Sequence, residues 1–198
     1  MSVLVLSPYP ERLALPDATI ADEDDDVLAR AEACGADWIV SYGWRRILKG
    51  ALLERYAGRI VNLHISYLPH NRGADPNFWS WWEDTPKGVS VHLIDEGVDT
   101  GAILAREEAR FSPGPRTLAT TYEDLRAQVE ALFKRVWPDI AAGRVRPQPQ
   151  PPGGPRPRRA AEKTAFFEAL PAGWDTPVET VEAMGRTWRA DEQERTMR

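Results

Sequence analysis

Residues 59–66 read Arg59-Ile60-Val61-Asn62-Leu63-His64-Ile65-Ser66. The apolar residues Ile60, Val61, Leu63 and Ile65 mark a buried strand, and because a strand alternates its side chains, Asn62, His64 and Ser66 share one face. Polar groups in a row on an otherwise apolar strand are costly to bury unless they bond one another, water or a ligand. The stretch therefore bears on fold and function together.

Upstream, residues 2–7 (SVLVLS) and 37–42 (DWIVSY) are short apolar runs of the kind found in buried parallel strands. Between them a helix is expected over about residues 25–33, opened by the carboxylates of Asp22 to Asp26 and closed by Gly35. Residues 50–56 (GALLERY) form a short helix. Strands alternating with helices imply right-handed crossovers, so the fold class is α/β: a shortened Rossmann-like, mainly parallel sheet flanked by helices. Downstream, residues 76–82 look helical, 87–94 (KGVSVHLI) read as a strand, 102–111 as a further strand or pair of segments, and 117–142 as a long helix. In such a sheet ligands sit beyond the carboxyl ends of the strands.

Prolines at 147, 149, 151, 152, 155 and 157, with Gly153 and Gly154, prevent regular helix or central strand. The chain thus divides into a main domain over 1–143, a Pro/Arg-rich linker or wrapping segment over 144–160, and a helical C-terminal extension over 161–198 with a second helix around 177–184. The basic residues Arg156, Arg158 and Arg159 read as a solvated run on spacing alone. Phe78, Trp79, Trp81 and Trp82, at helical spacing, belong mainly to a core.

With 42% hydrophobic and 28% charged residues, the composition is that of an ordinary globular protein. A formal net charge of -5 gives no general attraction for a phosphate backbone, so no nucleic acid partner is expected. Cys34 stands alone, which excludes a disulfide framework and suits a reducing compartment. No apolar run is long enough to span a membrane, and a cytoplasmic location is expected.

After the polar strand comes Tyr67-Leu68-Pro69-His70-Asn71-Arg72-Gly73-Ala74-Asp75-Pro76, a loop whose glycine and prolines allow backbone to approach a ligand. A second polar loop, Asp95-Glu96-Gly97-Val98-Asp99-Thr100-Gly101, follows a later strand. A carboxylate within reach of a histidine fixes its tautomer and stabilises its imidazolium form, which makes Asp99 the candidate partner of His64. Asn62 adds a fixed amide donor for charge building on a carbonyl oxygen. His70 reads as a loop residue and His92 as a packing or hydrogen-bonding one; the three histidines lack the spacing of a zinc site, so no metal is expected.

The phrases NLHISYLP, RG and PKGVSVHLIDEGVDTG closely resemble the signature of folate-dependent formyltransferases, over about residues 37–105. Members carry an Asn-x-His-Pro-Ser-x-Leu-Pro segment and a later Asp in an Asp-x-Gly or Asp-Thr-Gly setting. The resemblance implies that Asn62, His64 and Asp99 are catalytic and that 10-formyltetrahydrofolate is the co-substrate. Ile65 stands where the family usually has proline, which removes no reacting group. The segment Tyr42 to Leu48 resembles the family's pterin-receiving loop, so Trp44, Arg46, Ile47 and Leu48, with Ile94, Asp95, Glu96, Gly97 and Val98 opposite, are implied to bind folate. Ser66, Tyr67, Arg72, Gly73 and Asn77 are implied to meet the acceptor.

Two departures shape the implied substrate. About two βα units that follow the family's first strand are nearly deleted here, and Pro8-Tyr9-Pro10 stands in place of a Gly-rich phosphate loop, which disfavours glycinamide ribonucleotide. The acidic charge and short proline-broken tail disfavour tRNA. The phrase Gly73-Ala74-Asp75-Pro76-Asn77-Phe78-Trp79-Ser80 looks most like short sugar N-formyltransferases, implying a small-molecule amine, most readily a nucleotide-linked amino-sugar. A formyl-folate hydrolase and a noncatalytic folate- or ligand-binding module stay open beside it. A shortened sheet would leave apolar surface that a homodimer could cover.

Overall fold

The computed structural model describes residues 1–152 and 155–196; Gly153 and Gly154 of the proline-rich segment, and Met197 and Arg198 of the extension, lie outside the described residues. The strands are β1 (Val3–Leu6), β2 (Thr19–Ile20), β3 (Trp38–Tyr42), β4 (Ile60–His64), β5 (Gly88–Leu93) and β6 (Ile103–Glu108), and the helices are α1 (Val27–Ala33), α2 (Ala51–Arg55), α3 (Pro76–Trp82), α4 (Leu118–Ala141), α5 (Ala160–Glu168) and α6 (Val178–Thr196). The six strands form one sheet in the order β2-β1-β3-β4-β5-β6. The pairings from β2 to β4 are parallel and those of β5 with β4 and β6 antiparallel, so the sheet is mixed, its parallel half being the Rossmann-like one.

Alternation along the strands builds two apolar layers. Val3, Val5, Val40, Val61, Leu63, Val89 and Val91 pack with Leu125, Val129, Leu132 and Phe133 of α4. On the opposite face Leu4, Leu6, Ile39 and Ile60 meet Val27 and Ala31 of α1 and Leu52 of α2. Ile60 thus lies under α2, and Asn62 and His64, two and four residues on, emerge on that same face past its helical cover. The face turns polar where the packing stops.

Local signals explain the helix ends. The Asp26 carboxylate accepts the backbone N–H groups of Leu28 and Ala29 at the start of α1, while Thr117 and Thr120 form a reciprocal capping box on α4. Tyr42 closes β3 by donating its hydroxyl to Glu130 Oε1 on α4 at 2.7 Å, and burial pushes that hydroxyl's pKa above its usual range. A third apolar cluster joins Phe78, Trp79, Trp81 and Trp82 of α3 to Leu118, Leu170, Val178 and Val181. All four aromatics of α3 are core residues.

Two elements differ from expectation. β2, only two residues long, carries no readable pattern of its own. α6 runs far past residue 184, because its second half is made of charged, good helix formers and shows no apolar stripe.

Candidate active site

The antiparallel pairing of β4 with β5 sets Asn62 opposite His92 and His64 opposite Ser90. The Asn62 Nδ2 group lies 3.2 Å from His92 Nε2 and 3.4 Å from Asp99 Oδ1. His92 Nε2 is itself 3.4 Å from Asp99 Oδ1, and His64 Nδ1 is 3.7 Å from Asp99 Oδ2. Gly73 donates its backbone N–H to that same Oδ2 at 2.8 Å. Strand β4, strand β5, the 67–76 loop and the 95–101 turn therefore meet at one carboxylate.

Hydrogen bonding decides which nitrogens carry protons. His64 Nε2 is 3.1 Å from the Asn71 carbonyl oxygen, which can only accept, so Nε2 holds a proton and Nδ1 faces Asp99, bare in the neutral ring and protonated in the imidazolium. By the same logic His92 Nδ1, 2.7 Å from the Leu93 carbonyl oxygen, is protonated and its Nε2 faces Asn62 and Asp99. A proton taken up by His64 Nδ1 would arrive beside a carboxylate. Burial opposes ionisation of Asp99, but the positive charge of His64 and His92 when each ring carries its second proton, together with the Gly73 N–H, outweighs it and holds the carboxyl well below the usual carboxylate range.

The loop that supplies Gly73 is itself pinned. Asn71 receives a bond from Thr85 Oγ1 at 2.6 Å and donates to Glu83 Oε2 at 3.0 Å, so the carbonyl that orients His64 is fixed. The proline-rich segment lays Arg158 along Gly73: Arg158 N–H donates to the Arg72 carbonyl and Ala74 N–H to the Arg158 carbonyl, both at 2.9 Å. Gly73 has φ +87°, and a Cβ there would run into the Arg158 backbone, so both the conformation and the close approach require glycine. Arg158 also pairs with Glu83 and Glu162 and covers the Trp79 ring, and Arg156 pairs with Glu162. Arg158 leaves the solvated run because Glu83, 75 residues away in sequence, reaches it, whereas Arg156 is exposed and, among the described residues, pairs only with the nearby Glu162.

Several residues expected to meet the acceptor also bond within the protein. Ser66 lies past the end of β4 and donates its hydroxyl to the His70 carbonyl at 2.8 Å. Asn77 donates to the Leu118 carbonyl and accepts from Trp81 and Thr121, tying α3 to α4. Tyr67 lies beneath the Arg106 guanidinium, 4.5 Å from its ring centre. The buried Arg72 is held by Gln150. Of that set, Gly73 reaches the carboxylate.

Of the residues expected to bind folate, Leu48 belongs to the cluster beneath α1 and α2, and Trp44 and Ile94 pack against that cluster. Trp44 Nε1 is buried and has no hydrogen-bond partner among the described residues. Arg46 lies over the Trp44 ring, 5.9 Å from its centre, and donates to the Glu23 and Asp25 carbonyls, and Ile47 is exposed. In the turn beyond Ile94, Asp95 accepts from Gly97 N–H and the Thr100 hydroxyl, and Glu96, Gly97 and Val98 are exposed. Nothing in the sequence marks Gln150 or the Asn71 carbonyl; His92, read from its alternation within a strand as a packing or hydrogen-bonding residue, lies against Asn62 and Asp99.

Comparison with known proteins adds an independent finding. The model of the Formyl transferase family matches residues 14–136. The formyltransferase PseJ from Anoxybacillus kamchatkensis, solved in complex with UDP-4,6-dideoxy-4-formamido-L-AltNAc and tetrahydrofolate, superposes with a TM-score of 0.83 at 39% identity, over 93% of this chain and 100% of that one. A sugar N-formyltransferase from Shewanella sp FDAARGOS_354 shares the fold, with a TM-score of 0.71 at 18% identity over 93% of this chain and 87% of its own. The methionyl-tRNA formyltransferase of Myxococcus xanthus (strain DK1622) is 38% identical over 59% of this chain, which spans 36% of that relative's length.

Proposed function

The chain belongs to the formyl transferase family, and from that premise we propose that it moves a formyl group from 10-formyltetrahydrofolate to the amine of a small molecule, a nucleotide-linked amino-sugar. The observation that carries the proposal is the convergence of Asn62, His64 and Gly73 on the Asp99 carboxylate.

The apolar edge made by Trp44, Leu48 and Ile94, with the unbonded Trp44 Nε1 beside it, fits a flat heteroaromatic ring bearing acceptor atoms. The co-substrate would supply an activated formyl carbon there. The Asn62 amide exchanges its long 3.4 Å contact to Asp99 for the formyl oxygen as that oxygen gains negative charge. The bare Nδ1 of His64 takes the proton the amine loses as its nitrogen bonds the carbon, and returns a proton to the folate nitrogen as the old carbon–nitrogen bond breaks. Asp99 stays ionised and balances the imidazolium. No group on the protein needs to become covalently attached.

Three features support an amino-sugar acceptor. The likeness to PseJ spans the whole of that protein, whereas the methionyl-tRNA formyltransferase is matched over about a third of its length. The net charge of -5 opposes a polyanionic acceptor such as tRNA. The turn after β1 is proline-bounded and offers no string of free backbone donors. The test is to incubate the protein with 10-formyltetrahydrofolate and a panel of nucleotide-linked amino-sugars, methionyl-tRNA and glycinamide ribonucleotide, following each acceptor by mass. Formyl gain on an amino-sugar alone is the expected result; release of formate with every acceptor unchanged would overturn it.

A further inference from the structure

After α4 the chain returns along the open edge of β6. Gln148 and Ile103 exchange two backbone hydrogen bonds of 2.8 Å, and Gln150, two residues on, projects to the same side as Gln148. There its amide is fully used. Oε1 accepts from Arg72 Nη2 at 2.6 Å and Arg72 Nε at 3.2 Å, while Nε2 donates to the Asp99 carbonyl at 2.9 Å and the Gly101 carbonyl at 2.8 Å. One side chain thus joins the two loops that meet at the carboxylate. On one side it grips the backbone of Asp99, which sits at φ 54°, a left-handed conformation that a residue with a Cβ holds only when its surroundings fix it. On the other it grips Arg72, whose neighbour Gly73 donates to the Asp99 side chain.

We infer that Gln150 is a positioning residue that sets the Asp99 carboxylate between His64 and the Gly73 N–H. The inference rests on the proposed formyl transfer for the role of Asp99, but not for the hydrogen bonds themselves. Gln150 touches no reacting atom, so its removal loosens the Asp99 turn and leaves the apolar edge at Trp44 as it was. The loss therefore belongs in kcat rather than in KM.

The experiment compares Gln150→Ala and the near-isosteric Gln150→Glu, each in the full chain and each combined with Asp99→Asn. Gln150→Glu keeps the acceptors for Arg72 but sets a carboxylate against two carbonyls. Each single variant should lose about 10- to 100-fold in kcat, as a displaced reacting group does. KM for donor and acceptor should stay within about twofold, and adding Gln150→Ala to Asp99→Asn should cost no more than about twofold further. Without substrate, the amide resonance of Gly73 and the carboxyl carbon of Asp99 should shift in Gln150→Ala. An unchanged kcat, or an equal loss in the Asp99→Asn background, would overturn the inference. Should the wild type formylate no acceptor, the proposed function fails, and the two resonances alone decide: if they do not move, the positioning role fails as well.

Discussion

At Asp99 two imidazoles, an amide and a backbone N–H surround a carboxyl group with little exposed surface. A carboxyl held below its unfolded value contributes stability above the unfolded pKa of about 4, and that contribution is lost as the pH falls below it. Asp99→Asn should therefore lower the melting temperature above about pH 4, with the gap to wild type closing progressively below it. Melting curves across pH check this; a gap that widens in acid would contradict the assignment of partners. Asn62, His64 and Asp99 were legible because strand alternation puts the first two on one face and the motif marks the third. Ser66 and Asn77 donate to backbone carbonyls, which no sequence pattern announces: polar character shows that a side chain needs a partner, not whether the partner is a ligand or a backbone carbonyl. Gln150 reaches Asp99 across 51 residues, through a path that depends on how the tail folds. No local pattern records that.

At the scale of elements, α6 lies so close to α3 that a Cβ on Gly185 would run into the Trp82 backbone. Gly185→Ala must push the helices apart, at a cost of about 1–3 kcal/mol despite alanine's better helix propensity. Chemical denaturation measures it, and an unchanged or raised midpoint would show that the close approach is relaxed. The Gly73 contact with Arg158 makes a parallel prediction with a different readout. Gly73→Ala displaces the proline-rich strap and the N–H that Asp99 accepts, so turnover should fall about 10- to 100-fold. Retention of wild-type kcat would separate the strap from the chemistry. In the parallel half β1, β3 and β4 were readable because they are short apolar runs between turn residues, and the two-residue β2 was not. The length of α6 was not, since a helix that is charged on most sides shows no apolar periodicity.

Over the whole molecule, the extension after the proline-rich segment completes a core rather than hanging from it. Leu170, Val178 and Val181 cover Phe78, Trp79 and Trp82. A chain ending at residue 159 should expose those aromatics, bind a hydrophobic dye and aggregate; a truncated chain that stays monomeric with its native melting transition would contradict this. The net charge of -5 belongs to this scale too and argues against tRNA, while the proline-bounded turn after β1 argues against glycinamide ribonucleotide. The central claim is that the side chains gathered around Asp99 perform the transfer. Its most direct test is single-turnover transfer from 10-formyltetrahydrofolate to an amino-sugar nucleotide by wild type and His64→Ala, with folate affinity measured on the same preparations. The account predicts a fall of at least about 100-fold in the transfer rate with folate affinity nearly unchanged; a His64→Ala protein that transfers at close to the wild-type rate would contradict it.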